Sequence, residues 1–453
     1  MARLLYSEAN PPRTLLTLFA IVILLGAALL SLPIATHHGI GFLDALFTAT
    51  SAVCVTGLMT VDPGTVFTPF GQLVILALIQ VGGLGIMTFS TFFMVLLRRS
   101  LTLPESAVIF DTLDPNRRLR IGELLKQTMT FTFSVEAVGA LVLFVRWAPE
   151  HGAADAAWLA VFHSVAAFCN AGISLFPDNL MRYSGDVVVN AVVMALIVTG
   201  GLGFLTLAEL RLNYRARRSG KRPPVSANCQ LTLAVTGALI VTGTALIFVF
   251  ERNHGLAGMA APHQAMAALF QSVTARTAGF NTVDLNGFTN ASLYVILLLM
   301  FVGAAPGSTG GGVKVTTFGA MIALIWSRLR ARERVEIFHR AIAHRTMSQA
   351  LFVFFLAAQI LVLFALALFV SESAGSGPAA REAFLPLLFE TVSAFGTVGL
   401  SLGATANLTE PGKILVIALM YIGRLGALTM IMAAARRAPH GAYRYAEEEI
   451  TIG

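Results

Sequence analysis

Apolar residues dominate eight stretches of the chain, 14–35, 70–97, 124–148, 186–210, 229–250, 290–326, 348–370 and 412–435. Each can supply the roughly 20 residues that carry a helix across the ~30 Å hydrocarbon core of a bilayer. The pattern predicts eight spans. Polar residues between them are unevenly charged. Basic residues follow the even-numbered spans: Arg98, Arg99, Arg117, Arg118 and Arg120, then Arg211, Arg215, Arg217, Arg218, Lys221 and Arg222, then Arg328, Arg330, Arg332, Arg334, Arg340 and Arg345. The first connection, 36–69, has no Lys or Arg. By the positive-inside rule the basic loops and both termini are expected in the cytoplasm.

The connections that face outward hold apolar segments of about a dozen residues, too short to span and suited to re-entrant helices. They align as FTATSAVCVTG (Phe47 to Gly57), FHSVAAFCNAG (Phe162 to Gly172), FQSVTARTAG (Phe270 to Gly279) and FETVSAFGTVG (Phe389 to Gly399). Each starts with Phe and has Ala five residues on (Ala52, Ala167, Ala275, Ala394). Each ends on a glycine, and the glycines recur 115, 107 and 120 residues apart. The following spans echo one another in QVGGLGIMT, VTGGLGFLT and YIGRLGALT. A period of this kind marks tandem units. The predicted fold is an all-α integral membrane protein of four M1-P-M2 units (span, re-entrant pore helix, span) with pseudo-fourfold symmetry about a central pore. The units are 14–97, 124–210, 229–326 and 348–435, with a cytoplasmic tail at 436–453.

Four such turns about one axis present rings of backbone carbonyls to a dehydrated cation, because irregular backbone at membrane depth persists only where protein or a wet cavity satisfies it. The candidate filter residues are Val55, Thr56 and Gly57; Asn170, Ala171 and Gly172; Thr277, Ala278 and Gly279; and Thr397, Val398 and Gly399. The fourth triplet looks like the start of the TVGYG filter of potassium channels.

Within the sixth span, FVGAAPGSTGGGVKVTT separates two apolar pieces of 12 residues, Ala291 to Val302 and Val315 to Trp326. Each covers only ~18 Å at 1.5 Å per residue, so the break falls near mid-membrane. Symmetry sets Gly303 to Lys314 just cytoplasmic of the filter, where Gly303, Pro306, Gly307, Ser308, Thr309, Gly310, Gly311, Gly312 and Lys314 form a candidate gate. A simple kink at Pro306 is the competing reading. A phosphate-binding loop is disfavoured, since the GK[ST] ending is missing. Arg424 replaces the middle glycine of the GGLG echo. An intramembrane charge faces a cavity or a partner, so Arg424 is expected either to raise the cation barrier below the filter or to bond a neighbouring helix or the loop carbonyls.

Composition agrees with a multi-span membrane protein: 56% hydrophobic, 12% charged, mean hydropathy +0.76. Net charge is +7, and no nucleic-acid partner is implied. Cys54, Cys169 and Cys229 read as free thiols. His37, His38, His151, His163, His254 and His263 lack metal-ligand spacing, and Glu105, Asp111 and Asp114 form no metal pattern, so an enzyme is not expected. Arg276 is expected to brace the filter through an outer acidic or carbonyl partner. Asp62, Asp178, Asp284 and Glu390 are read as ordinary loop charge or as cation concentrators. Glu136 and Glu209 are the candidates for an acid on a coupled carrier.

The motifs VCVTGL, CNAGIS, TARTAGFN, TVGLS and PGSTGGGVK resemble those of the superfamily of Trk, Ktr and HKT potassium transporters, from about residue 14 to the end. EEEITIG resembles the tail of the Ktr-type membrane subunit, and no extra helix pair is expected ahead of the first unit. The resemblance implies potassium uptake across the cytoplasmic (inner) membrane by a homodimer, each protomer with its own pore, resting on a cytosolic ring of nucleotide-binding, RCK-type (KtrA-like) regulatory subunits. It favours the gate role for the glycine-rich loop. It also implies potassium preference from Gly57, since serine there goes with sodium permeation in the family. Sodium is open as an activator; the alternative is a stoichiometric sodium- or proton-coupled symporter.

Overall fold

A computed structural model describes residues 11–100, 121–220, 223–332, 334–372 and 382–426. They are almost wholly helical; the two strands among them form a two-residue hairpin, Glu336–Ile337 with Arg340–Ala341. The helices are α1 (Pro11–Leu30), α2 (Phe42–Cys54), α3 (Pro69–Ser100), α4 (Ile121–His151), α5 (Ala153–Cys169), α6 (Val187–Leu202), α7 (Phe204–Arg218), α8 (Ala227–Glu251), α9 (Ala261–Thr274), α10 (Asn290–Phe301), α11 (Val315–Leu329), α12 (His344–Glu372), α13 (Phe384–Gly396) and α14 (Glu410–Leu425).

Four of these, α1, α4, α8 and α12, contain apolar runs long enough to cross a membrane. Their outer faces carry exposed large apolar residues such as Leu25, Val138, Val241 and Val362, which suits contact with lipid. The chain is a multi-pass membrane protein. The short helices α2, α5, α9 and α13 invert the pattern, with most of their residues buried, hydroxyls included: Thr50, Ser51, Ser164, Ser272 and Ser393 are fully covered. So the most buried part of the molecule lies around the four short helices, not within the long ones.

Contacts close in a cycle. Each second helix packs on the short helix of the next repeat: α3 on α5, α6 on α9, α10 on α13, and α14 back on α2. The last join is fastened by an ion pair between Lys413 and Asp44 (2.7 Å) and by the Tyr421 hydroxyl donating to the Leu16 carbonyl (2.5 Å). The starts of the second helices are fixed too. Thr289 and Thr409 cap α10 and α14, and their hydroxyls donate to Glu251 and Glu372 at the ends of α8 and α12, both at 2.7 Å. Caps of this type contribute about 1 kcal/mol each.

Two expected spans are not continuous helices in the way the hydropathy suggested. The stretch 186–210 bends by 97° between α6 and α7. Its hinge, Gly203, has φ 77° and ψ 147°, a conformation essentially restricted to glycine. The stretch 412–435 stops at Leu425, where Gly426 has φ 82°; residues 427–435 and the tail 436–453 lie outside the described residues, as do Glu105, Asp111, Asp114, Arg117, Arg118, Arg120, Lys221 and Arg222. The break expected in 290–326 is present, between α10 and α11.

Candidate functional site: a ring of four glycine turns and the loop beneath it

Each short helix ends in the same backbone figure. Val55, Asn170, Thr277 and Thr397 have positive φ (53°, 61°, 74° and 50°), as do Gly57, Gly172, Gly279 and Gly399 (96°, 64°, 78° and 94°), and the residue between each pair does not. Alternating left-handed with ordinary residues is neither helix nor strand geometry, so the carbonyls of the turn are released from both bonding patterns. Three of the four leading residues are β-branched, for which positive φ is an outlier, and strain of this kind, about 1–3 kcal/mol per residue, persists where surrounding structure enforces it. Here the enforcement is visible. The Val55, Asn170 and Thr397 amides donate to Ala52, Ala167 and Ala394 (3.1, 3.1 and 3.2 Å), the alanines shared by the aligned copies. In the first and fourth copies the Gly57 and Gly399 amides donate to Ser51 Oγ and Ser393 Oγ, both at 3.0 Å. The third copy, one residue shorter, ends its helix at Thr274, whose carbonyl accepts from both Ala278 and Gly279 (2.9 and 3.4 Å).

The four turns form a closed ring. A methyl group built on Gly57 would run into the Ala171 carbonyl; on Gly172, into the Ala278 carbonyl (2.7 Å); on Gly279, into the Val398 carbonyl; on Gly399, into the Thr56 carbonyl. The order returns to its start, so all twelve sequence-predicted residues are brought together. A second set of glycines explains the approach: a methyl on Gly82, Gly200 or Gly423 would strike the carbonyl of Val53, Phe168 or Phe395 at the end of a short helix. The GGLG echo is thus a close-packing device.

The loop 302–314 lies buried against this ring. A side chain on Gly310 or Gly311 would collide with the Thr277 or Thr397 hydroxyl, and the Gly311 amide donates to Thr397 Oγ1 (3.1 Å). On the other side the loop is stitched to the broken second helix: Ala305 donates to the Gly201 carbonyl (3.0 Å), Thr309 to Gly200 (3.3 Å), and Phe204 to Gly307 (3.3 Å). The hinge at Gly203 therefore belongs to the same feature, with the Pro306 carbonyl 2.9 Å from where its Cβ would be. Ser308 is tied within the loop to Ala305 (2.5 Å), and Gly303 and Gly312 face each other across its neck. Lys314 reaches back to the Gly310 carbonyl (2.7 Å).

Arg424 is 3% exposed and joins the loop to the bundle: Nη1 donates to the Thr309 carbonyl and Nη2 to the Gly82 carbonyl (2.8 Å). Of its two expected roles, bonding to loop carbonyls is the one the contacts show; among the described residues it has no carboxylate partner. Arg276 corrects an expectation. Its Nη2 donates to the Thr236 hydroxyl (3.3 Å), neither acid nor carbonyl, because it lies just past the end of α9 and lines a small cavity beside α8 and α6.

The acidic residues have local partners instead of facing an open path. Asp62 and Asp284 cap short turns through Gly64 and Asn286 (3.1 and 3.0 Å). Asp178 pairs with Arg182 at 2.8 Å; burial pushes its carboxyl up, the bonds from Arg182 bring it down, and the net shift is downward. Glu390 is buried and accepts from Ser401 and from Thr405 (2.6 Å), holding the segment that follows Gly399. His163, its counterpart in the second copy, likewise contacts Ser174 (2.9 Å) after Gly172. The sequence reading missed this bracing position, one residue after the leading Phe of each copy. Glu209 accepts from the Ser226 amide and hydroxyl (2.6 and 2.7 Å) at the start of α8, and Glu136 from Gln80 (3.2 Å). Glu136 also accepts from the Cys169 thiol (3.9 Å), immediately before the second glycine turn. Cys54, Cys169 and Cys229 are buried free thiols.

The family model for TrkH, cation transport protein, matches residues 19–445. The chain belongs to the TrkH family. Ktr system potassium uptake protein B of Bacillus subtilis is 39% identical over 98% of this chain and 97% of its own length. The protein of the same name from Vibrio alginolyticus is 37% identical over 99% and 96%. The potassium/sodium uptake protein NtpJ of Enterococcus hirae is 34% identical over 100% and 99%. The crystal structure of the potassium transporter TrkH from Vibrio parahaemolyticus superposes with TM-score 0.69 at 18% identity, over 92% of this chain and 84% of that one, which supports the fold of this TrkH-family chain. The family is one of transport proteins, not of enzymes.

Proposed function

We propose that this chain takes up potassium through a channel-like pore whose filter is the ring Val55–Gly57, Asn170–Gly172, Thr277–Gly279 and Thr397–Gly399, with Gly303–Lys314 and Arg424 as its gate. The observation that carries the reading is the closed ring of four glycine turns, since rings of carbonyls can replace the hydration shell of a cation. The names of the full-length relatives point to potassium as the ion, and the one that includes sodium leaves room for sodium as an activator or second ion. The four helix–turn–helix repeats serve as units 14–97, 124–210, 229–326 and 348–435 about the pore. The basic loops and both termini face the cytoplasm, so the inward-negative potential drives uptake by ~2.3 kcal/mol per charge for each 100 mV. A homodimer on a cytosolic ring of RCK-type regulatory subunits is the assembly that the Ktr likeness suggests.

The test is rubidium uptake into proteoliposomes that hold the purified chain, driven by a potassium gradient, with and without sodium, beside Gly399→Asp. Uptake that needs only the gradient and vanishes in the variant is the expected result. Uptake that requires sodium to move with it, or survives Gly399→Asp, overturns the channel reading and the filter assignment.

A further inference from the structure

Between α4 and α6 a groove of about 730 Å³ opens on the outside of the bundle. Its apolar walls include Phe131, Val135, Val138, Val142, Val192 and Leu196. The hydroxyls along it are already satisfied: Thr130, Ser134 and Thr199 each donate to a carbonyl one turn back (2.8, 2.6 and 2.6 Å). One end differs. Lys126 on α4 and Arg211 on α7 line it, both exposed, and neither forms an ion pair among the described residues.

From Lys126 to Val142 α4 rises ~24 Å, more than half of the ~30 Å core. An acyl chain that enters at the basic end therefore meets apolar wall over its whole depth in one leaflet. Two unpaired cations at the mouth complement a phosphodiester, and basic pockets between membrane helices favour anionic headgroups. We propose that this groove binds one anionic phospholipid, its phosphate on Lys126 and Arg211 and an acyl chain along Val135, Val138 and Leu196. The leaflet rests on the orientation proposed above, which makes the basic end cytoplasmic. The groove floor also approaches the filter. A methyl on Gly139 would meet Ser164 Oγ at 2.6 Å and Leu196 at 2.8 Å, and Ser164 on α5 donates to the Glu136 carbonyl (2.7 Å). A lipid here packs one side chain away from the helix that carries Asn170–Gly172.

Native mass spectrometry of the full chain in detergent, titrated with phosphatidylglycerol or phosphatidylcholine, reads the site directly. One phosphatidylglycerol adduct per chain is expected, preferred over phosphatidylcholine and weakened about fivefold by Lys126→Gln or Arg211→Gln. Val138→Trp should weaken it by filling the groove, and Lys126→Arg should retain it. Thermal melting checks that each variant folds. Equal binding of the two lipids, no adduct, or an adduct indifferent to Lys126→Gln, Arg211→Gln and Val138→Trp overturns the proposal. So does a dimer that Val138→Trp dissociates while no lipid binds, which would assign the groove to a second copy. The readout is binding, so a chain that failed to pass rubidium would still give an answer here.

Discussion

Replacing Arg424 with alanine tests the proposed gate. The guanidinium holds the loop through the Thr309 carbonyl and anchors itself on the Gly82 carbonyl. A hydrogen bond from a charged donor contributes about 1.5–3 kcal/mol, so its loss should shift the seated and displaced populations of the loop by roughly 10- to 150-fold. The Gly311 bond to Thr397 and the Lys314 bond to Gly310 remain, which argues for the lower end of that range. Initial rubidium uptake into proteoliposomes at low driving force should therefore rise about tenfold. The Thr309 carbonyl, left without this donor at membrane depth, should also cost about 1–3 kcal/mol of stability, visible as a lower melting temperature, whereas the Gly82 carbonyl lies inside α3. Arg424→Lys separates clamp from electrostatic barrier: it keeps the charge but loses the fork that reaches two carbonyls. A clamp predicts flux between wild type and alanine; a pure charge barrier predicts wild-type flux. Unchanged or reduced uptake in folded Arg424→Ala would refute both.

Thr397→Val removes one hydroxyl with little change of shape, and with it the acceptor for the Gly311 amide; the loss of about 0.5–1.5 kcal/mol should raise uptake by about two- to tenfold in the same assay. Gly200→Ala should destabilise by about 1–3 kcal/mol through overlap with the Phe168 carbonyl. The matched control Gly237→Ala, where nothing lies within 4 Å, should stabilise by about 0.5–1 kcal/mol, both read by thermal or denaturant unfolding. Gly57→Ser should push the Ala171 carbonyl aside and reduce selection of potassium over sodium, measured by sodium competition against rubidium uptake.

The repeat was legible because its residues are constrained by backbone, not by side-chain identity. A turn with two left-handed residues leaves a glycine, and a helix end held by an i−3 carbonyl leaves the small Ala52, Ala167 and Ala394. The position after the leading Phe was not legible, since Thr48, His163, Gln271 and Glu390 share no chemistry. Only position unites them, and His163 and Glu390 brace the chain after the glycine through different groups. The bend at Gly203 was hidden for another reason. Its sequence, GGLG, is the same as in α3, which runs on as helix past Gly85. What differs lies 100 residues away, in the loop whose Gly307 carbonyl takes the Phe204 amide freed by the bend.

That pairing shows why two interrupted helices occur together. Breaking a helix at membrane depth frees amides and carbonyls that water cannot reach, each worth several kcal/mol if left alone. One broken helix beside intact ones would find no backbone partners, because theirs are bonded within their own turns. Two broken helices facing each other can exchange them, as Gly200, Gly201 and Phe204 do with Thr309, Ala305 and Gly307. The remaining loop carbonyls, at Thr309 and Gly310, then need donors from side chains, which Arg424 and Lys314 supply. On this argument the buried cations are consequences of the interruption, and any rearrangement of the loop must move α7 with it. A cross-link that fixes α7 to α11 should hold uptake at its resting level even in Arg424→Ala; full activation of the cross-linked variant would show that the loop moves alone.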